Sequence, residues 1–180
     1  GRLDRINSLL REHYPSNNTF ILFNKGYKKC KKKLPGQESK YDITDANLHV
    51  FKHAKEQNYK NILVLEDDYF FHKDVRSHSE PINTFLRENE ENQFMYFLGV
   101  VPGIIIPYSW YHYRAYLSMG THAAVYSKSY RENMLNVEQN LIEDWDVYQV
   151  FNYKWRRYMY HRPMCYQLFP ETENSKGWGS

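Results

Sequence analysis

Asn61-Ile62-Leu63-Val64-Leu65-Glu66-Asp67-Asp68-Tyr69-Phe70-Phe71 is an apolar run that ends abruptly in three carboxylates and then turns aromatic. A run this short and partly β-branched suits a strand covered on both faces, as in an α/β sheet. Ligands of open α/β sheets bind at the carboxyl ends of the strands. Glu66, Asp67 and Asp68 would stand at such an end, repelling one another unless a positive group lies between them. Mg²⁺ or Mn²⁺ is the simplest such group, because it prefers hard oxygen ligands and takes one or two carboxylates together with a ligand's phosphates. The plainer reading is a solvated acidic turn after a core strand, and on this segment alone both stay open.

The chain has 180 residues, which favours a single domain over 1–180 with a sizeable core. Aromatic residues make up 17%, and the 17 Tyr dominate that figure. Tyr joins a large apolar body to a hydroxyl and suits sugar-facing or other polar surfaces, although a general Lys, Asn and Tyr bias explains the count equally. A net charge of +3 is too small to imply nucleic acid. The basic residues crowd the first fifth (Lys25, Lys28, Lys29, Lys31, Lys32 and Lys33 among them), as a phosphate-binding cluster or as a solvated face. Cys30 and Cys165 have neither metal-ligand spacing nor a disulfide framework, so they read as free thiols or one bridge. No run approaches the length of a membrane span and no signal peptide is visible, so compartment, organism and oligomeric state stay open. The chain opens inside a helical pattern, so the expectation is a catalytic piece of a longer protein, with any anchor upstream. Asn17-Asn18-Thr19 is a glycosylation sequon, relevant only in a secretory compartment.

Leu3, Ile6, Leu9 and Leu10 have helical spacing, broken at Pro15 to Asn18. Thr19 to Phe23 reads as a strand and Lys28 to Ser39 as a basic loop. Ile43, Ala46, Val50, Phe51 and Ala54 form the stripe of a second helix, capped by Asp42 or Thr44. Pro81 suits a first helical turn, with Ile82, Phe85 and Leu86 facing inward. Phe94 to Gly99 reads as a strand, 101–119 as a long aromatic loop of functional kind, and Thr121 to Tyr126 as another strand. Ser127 or Ser129 would cap a helix bearing Met134, Leu135 and Val137; Ile142, Trp145 and Tyr148 follow on a further helix, and Met164 to Leu168 on a last strand. This alternation predicts an α/β sandwich with a mixed, largely parallel sheet. The Gly-rich loops that cradle phosphates are absent, so bound phosphates would need a cation and side chains.

The strand ending Leu65-Glu66-Asp67-Asp68, the helix segment Asp45-Ala46-Asn47-Leu48, the stretch Gly120-Thr121-His122-Ala123-Ala124-Val125-Tyr126-Ser127 and the acidic helix start Glu143-Asp144-Trp145-Asp146 come in a suggestive order. Together, over roughly 40–150, they resemble the GT-A-fold glycosyltransferases, and most closely glycosyltransferase family 25, the lipopolysaccharide and procollagen galactosyltransferase group. The resemblance implies a Rossmann-like GT-A α/β/α fold, a nucleotide-sugar donor, a Mn²⁺ or Mg²⁺ ion, and transfer of a sugar to a hydroxyl of a glycan or glycoprotein. The family's Asp-x-Asp motif falls on Glu66-Asp67-Asp68. Asp68 would then bind the metal, Glu66 the donor ribose or the metal shell, and Asp67 the donor. The first position is Glu rather than Asp, and the strand that precedes the first helix in this fold is not present. The resemblance therefore implies a domain shortened at its N-terminus.

Breaking a bond to a diphosphate leaving group builds negative charge, which Lys25 could meet beside the metal. Inverting transfer needs a carboxylate to take the acceptor proton, with Asp144 the first choice and Glu143 and Asp146 behind it. Acids in a helix's first turn are also favoured by its dipole alone. His122 and His161 are candidate metal or acceptor contacts, or ordinary structural histidines. Trp110, Tyr111 and Tyr113 would stack on an acceptor sugar, or pack as core. Trp155, Arg156 and Arg157 would close over the diphosphate, or form a surface patch. Two rival functions share these residues: a metal-dependent nucleotidyl- or phosphotransferase, and a non-catalytic carbohydrate- or polyanion-binding module built on the Lys28–Lys33 cluster.

Overall fold

The architecture follows from β1, Asn61–Leu65, whose side chains alternate between two apolar layers. Leu63 and Leu65 pack with Leu9, Ile82 and Phe85, whereas Ile62 and Val64 pack with Phe51, Tyr130, Met134 and Trp145. The computed structural model describes residues 1–13, 18–28, 31–36 and 38–167. Helices α1 (Arg2–His13) and α3 (Ser79–Glu88) thus cover one face of the main sheet. Helices α2 (Ser39–Glu56), α4 (Lys128–Leu135) and α5 (Trp145–Tyr153) cover the other. The remaining strands are β2 (Tyr69–Phe71), β3 (Met95–Pro107), β4 (His112–Ser127), β5 (Arg157–Tyr160) and β6 (Cys165–Gln167).

The main sheet has the order β1-β4-β3-β5, and β2 pairs with β6 in a separate ribbon. The sheet is mixed, but the largely parallel pairing expected from the sequence is not what forms. β4 lies between β1 and β3 and runs against both, so β3–β5 is the one parallel pair among the described strands. Because β4 alone is reversed, β1, β3 and β5 still point the same way. Their carboxyl ends share one lip. β1 is an edge strand, which explains why all five of its residues are only half-buried.

The expected loop over 101–119 is instead the two arms of a long hairpin. Ile104-Ile105-Ile106 and the Tyr residues of β4, Tyr113 and Tyr116 among them, are good strand formers. Pro102, Gly103 and Pro107 break the period in the sequence, and the pairing itself shifts register at four places between Phe97 and Ile105. The bulged hairpin curls from the middle of the sheet to its far edge. There His112, Tyr113 and Arg114 pair with Tyr160, Met159 and Tyr158. The sequence reading missed β2 and β5, each only three or four residues long. Thr19 to Phe23 forms no strand: Phe20 stacks on His53 of α2 at 4.3 Å and Phe23 is exposed.

The Ser127 cap acts as read, but the Asp42 or Thr44 cap expected for α2 does not form, because that helix already starts at Ser39 and both residues lie inside it. Ser127 caps α4 by accepting from the Tyr130 N–H at 3.3 Å, and it also accepts from the Phe94 N–H at 3.0 Å. The residue before α2 is Glu38, which makes no side-chain cap. Asp42 instead accepts from the Tyr27 N–H at 3.1 Å, and Lys32 pairs with Asp42 at 2.6 Å and Asp45 at 3.0 Å. Part of the basic loop is thereby tied to α2. Cys165 is a buried free thiol; Cys30, Lys29, Leu168 and the break at Pro15 to Asn17 lie outside the described residues. No helix among the described residues is long and apolar enough to cross a membrane.

Candidate functional site

The three carboxylates stand at the shared lip, and the chain separates them there. The Glu66 N–H donates to the His122 carbonyl at 3.0 Å, continuing the β1–β4 ladder, and the Tyr69 N–H closes a turn onto the Glu66 carbonyl at 3.4 Å. The turn leaves Asp67 exposed, its carbonyl accepting from Arg5 at 2.6 Å. Asp68 is turned inward and is only 4% exposed. Its Oδ2 accepts from the Gln167 side-chain amide at 2.9 Å, while its Oδ1 is buried without a hydrogen-bond partner. A simple solvated turn does not bury a carboxylate oxygen in this way.

Glu66 Oε1 accepts from the Thr121 hydroxyl at 3.0 Å. Desolvation, followed by the negative charges of Asp68 and Asp146, pushes the Glu66 carboxyl up to about 8. Asp146, in the first turn of α5, accepts from the Gly120 N–H at 2.8 Å. Gly120 takes φ +88°, a conformation open to glycine and strained for other residues. Burial raises the Asp146 carboxyl, while the Gly120 N–H, Thr121 and Arg157 pull it back.

His122 completes the group. It is 3% exposed, and neither ring nitrogen has a hydrogen-bond partner. Burial lowers its pKa, and the Cys165 carbonyl, Asp68 and Asp146 oppose that shift, so the ring is a neutral imidazole within reach of two carboxylate fields. A Cβ on Gly99 would collide with both the Cys165 carbonyl and His122 Nε2, so only glycine lets β6 and this ring meet over β3. Behind them Arg157 is fully buried. It donates from Nη2 to the Ser118 carbonyl at 2.8 Å and lies 5.0 Å from the centre of the Phe97 ring. Burial lowers its pKa to about 10, with Asp146 opposing.

Of the residues singled out in the sequence, Glu66, Asp68, His122 and Asp146 thus fall into one electrostatic cluster. Asp144 is the N-cap of α5, accepting from the Val147 N–H at 3.0 Å, and Glu143 beside it is exposed. Lys25 is exposed on the irregular segment that runs along α2. His161 belongs to a different neighbourhood: its N–H donates to the Tyr111 carbonyl at 2.9 Å and its ring lies 4.3 Å from Tyr160. Tyr111 also stacks over Tyr160, Tyr113 packs into the core, and Trp110 stands at the hairpin tip, 91% exposed. Because the hairpin curls round, this aromatic group borders the carboxyl end of β5. Two strand spacings, about 10 Å, separate β5 from the 123–127 part of β4, where His122 leads in, across the sheet. Arg157 belongs neither to a surface patch nor to a mobile clamp, since it is a core residue, whereas Trp155 and Arg156 are exposed.

Sequence reasoning missed Thr121, Gln167 and Gly99 as parts of this group, and it placed Arg157 over a diphosphate or on the surface rather than in the core behind the cluster. Gly120-Thr121-His122 carried a usable signal; Gln167 carried none, because its role depends on how β6 meets β2.

Among the described residues no three His, Cys, Asp or Glu side chains converge into a metal cage. The donors nonetheless fit a hard cation of the kind that takes one or two carboxylates and completes its shell from a ligand, because Asp68 Oδ1 is a buried oxygen lacking a partner. No protein-family model matches the chain, and none of the curated proteins compared matches it.

Proposed function

We propose that the chain is a metal-dependent glycosyltransferase that moves a sugar from a nucleotide-sugar donor to a hydroxyl of a glycan or glycoprotein. The observation that carries this reading is the Asp68 carboxylate, buried at the lip with one oxygen unpartnered, beside Glu66 and His122. Asp68, with Glu66 when ionised, would hold Mn²⁺ or Mg²⁺. What such an ion supplies is neutralisation of the charge on a leaving diphosphate. Protonated, Glu66 donates a hydrogen bond and suits a ribose hydroxyl; ionised, it is a metal ligand. Asp67, exposed on the turn, faces the donor. Neutral His122 can donate or accept, and so orient a hydroxyl above Gly99. Asp144 is exposed enough to take the acceptor proton, with its orientation held by the cap it makes on α5. Tyr111 borders the same lip and offers a ring face to an acceptor sugar.

The test is a thermal-shift screen of nucleoside diphosphates and nucleotide sugars, with and without Mn²⁺. Stabilisation by a nucleotide sugar that requires Mn²⁺ and vanishes in Asp68→Ala supports the reading. An equal Mn²⁺ response in both proteins removes it. Turnover that releases nucleoside diphosphate and glycosylated acceptor separates it from the nucleotidyl- and phosphotransferase alternatives.

A further inference from the structure

Among the described residues, nothing covers the β3 arm of the hairpin over 101–105. Val101, Ile104, Ile105 and Leu117 are exposed along the hairpin, Ile104 by 50%, and Trp110 stands at its tip, 91% exposed. Exposed apolar residues are ordinary when scattered, but here they lie on one continuous ribbon. The segments that form the hairpin and β5 beside it carry cations and no acids in sequence. Residues 92–131 contain no Asp or Glu, and neither do 147–170, the segment that supplies the elements beside the hairpin. The guanidinium of Arg114 lies between Tyr108 at 5.0 Å and Tyr158 at 5.1 Å, and Lys154 lies 5.3 Å from the centre of the Tyr116 ring. Arg156 and Arg162 are exposed on the same acid-free stretch. The nearby helix α3 brings Glu80, which is already paired with Arg87 at 3.0 Å.

We propose that this hairpin is a docking surface for an anionic lipid bilayer. Aliphatic and Trp side chains on a projecting ribbon, flanked by cations and with Glu80, the acid on adjacent α3, already paired, match the boundary between headgroups and acyl chains. A second copy of the chain is the poorer occupant, because a two-fold contact through this ribbon would set the same cations against themselves. A soluble sugar chain would use the aromatic rings but leave Val101, Ile104, Ile105 and Leu117 facing water. The inference is independent of the transferase reading and stands if that reading fails.

The test uses the full chain and vesicles of phosphatidylcholine, alone or mixed with phosphatidylglycerol. Expected are co-sedimentation with the mixed vesicles, weakening by salt, and quenching of Trp110 emission by acyl-chain bromine, read as the difference between the protein and Trp110→Phe. The double variant Ile104→Ser with Ile105→Ser should lose roughly tenfold in partitioning without a change in melting temperature, as burial of apolar area at the interface requires. Lys154→Gln with Arg156→Gln should lose a similar factor and flatten the salt dependence. If the serine variant is poorly folded, bromine quenching in the unaltered protein decides alone. Absence of binding to the mixed vesicles, equal salt-insensitive binding to both kinds, retention on heparin without vesicle binding, or an Ile104-dependent dimer without vesicle binding would each overturn the proposal.

Discussion

Gln167 donates its side-chain amide to Asp68 Oδ2 at 2.9 Å, joining β6 to the turn after β1 and aiming the free Oδ1 into a buried space. Position and chemistry are separable here. Asp68→Asn keeps the shape but loses the charge, so it should abolish the Mn²⁺-dependent rise in melting temperature while the fold survives. Gln167→Ala should weaken Mn²⁺ binding about 10-fold, as loss of an outer-shell partner does elsewhere. Calorimetric titration of both variants checks this.

The Glu66 carboxyl, pushed up to about 8, makes stability depend on pH with a definite sign. Between the ordinary carboxylate range and pH 8 the folded protein holds a proton on Glu66 that the unfolded chain has released. Stability should therefore fall as pH rises through that window, and Asp146, also raised, adds to the same slope. Glu66→Gln should flatten the melting curve between pH 5 and 8 and be the more stable protein at its upper end. A steeper curve in the variant would contradict the assignment.

Gly99→Ala is expected to be costly despite its size. The added methyl meets the backbone carbonyl of Cys165 and the ring of His122, and backbone cannot yield as a long side chain can. A loss of about 1–3 kcal/mol follows from overpacking of this kind. The Mn²⁺ response should fall with it, since β6 carries the Asp68 partner Gln167. Denaturant unfolding with and without Mn²⁺ reads both effects.

Asp144 caps α5 and is also the proposed proton acceptor, and two substitutions separate those roles. Asp144→Asn retains a good cap and should melt as the unaltered protein does while losing turnover. Asp144→Ala should lose about 1 kcal/mol in addition. Full turnover in Asp144→Asn would leave Asp144 as a cap alone.

Arg157→Met tests the buried cation behind the cluster. Removing it takes away a positive charge that favours the ionised Asp146 and leaves the Ser118 carbonyl without that donor. A loss of roughly 3 kcal/mol is expected from breaking a buried charge arrangement on one side, or about 10 °C in melting temperature for a chain of this size.

The sequence alone determined what depends on near neighbours. The strand at 61–65, the stripe of α2, the Ser127 cap and the carboxylates at a strand's end were all legible, because each rests on spacing within a few residues or one helical turn. Two features hid the hairpin: Pro102, Gly103 and Pro107 broke its period, and its density of aromatic residues read as a functional loop. The direction of β4 and the closure of its first residues onto β5 are long-range pairings, which no local pattern encodes. Tertiary structure alone decided which acids share a site. It drew Asp68, Glu66, His122 and Asp146 together from three elements, left Asp67 exposed on the turn, and sent His161 to the aromatic edge. A carboxylate's chemistry is set by what surrounds it, and those surroundings exist only once β4, α5 and β6 have packed against the end of β1.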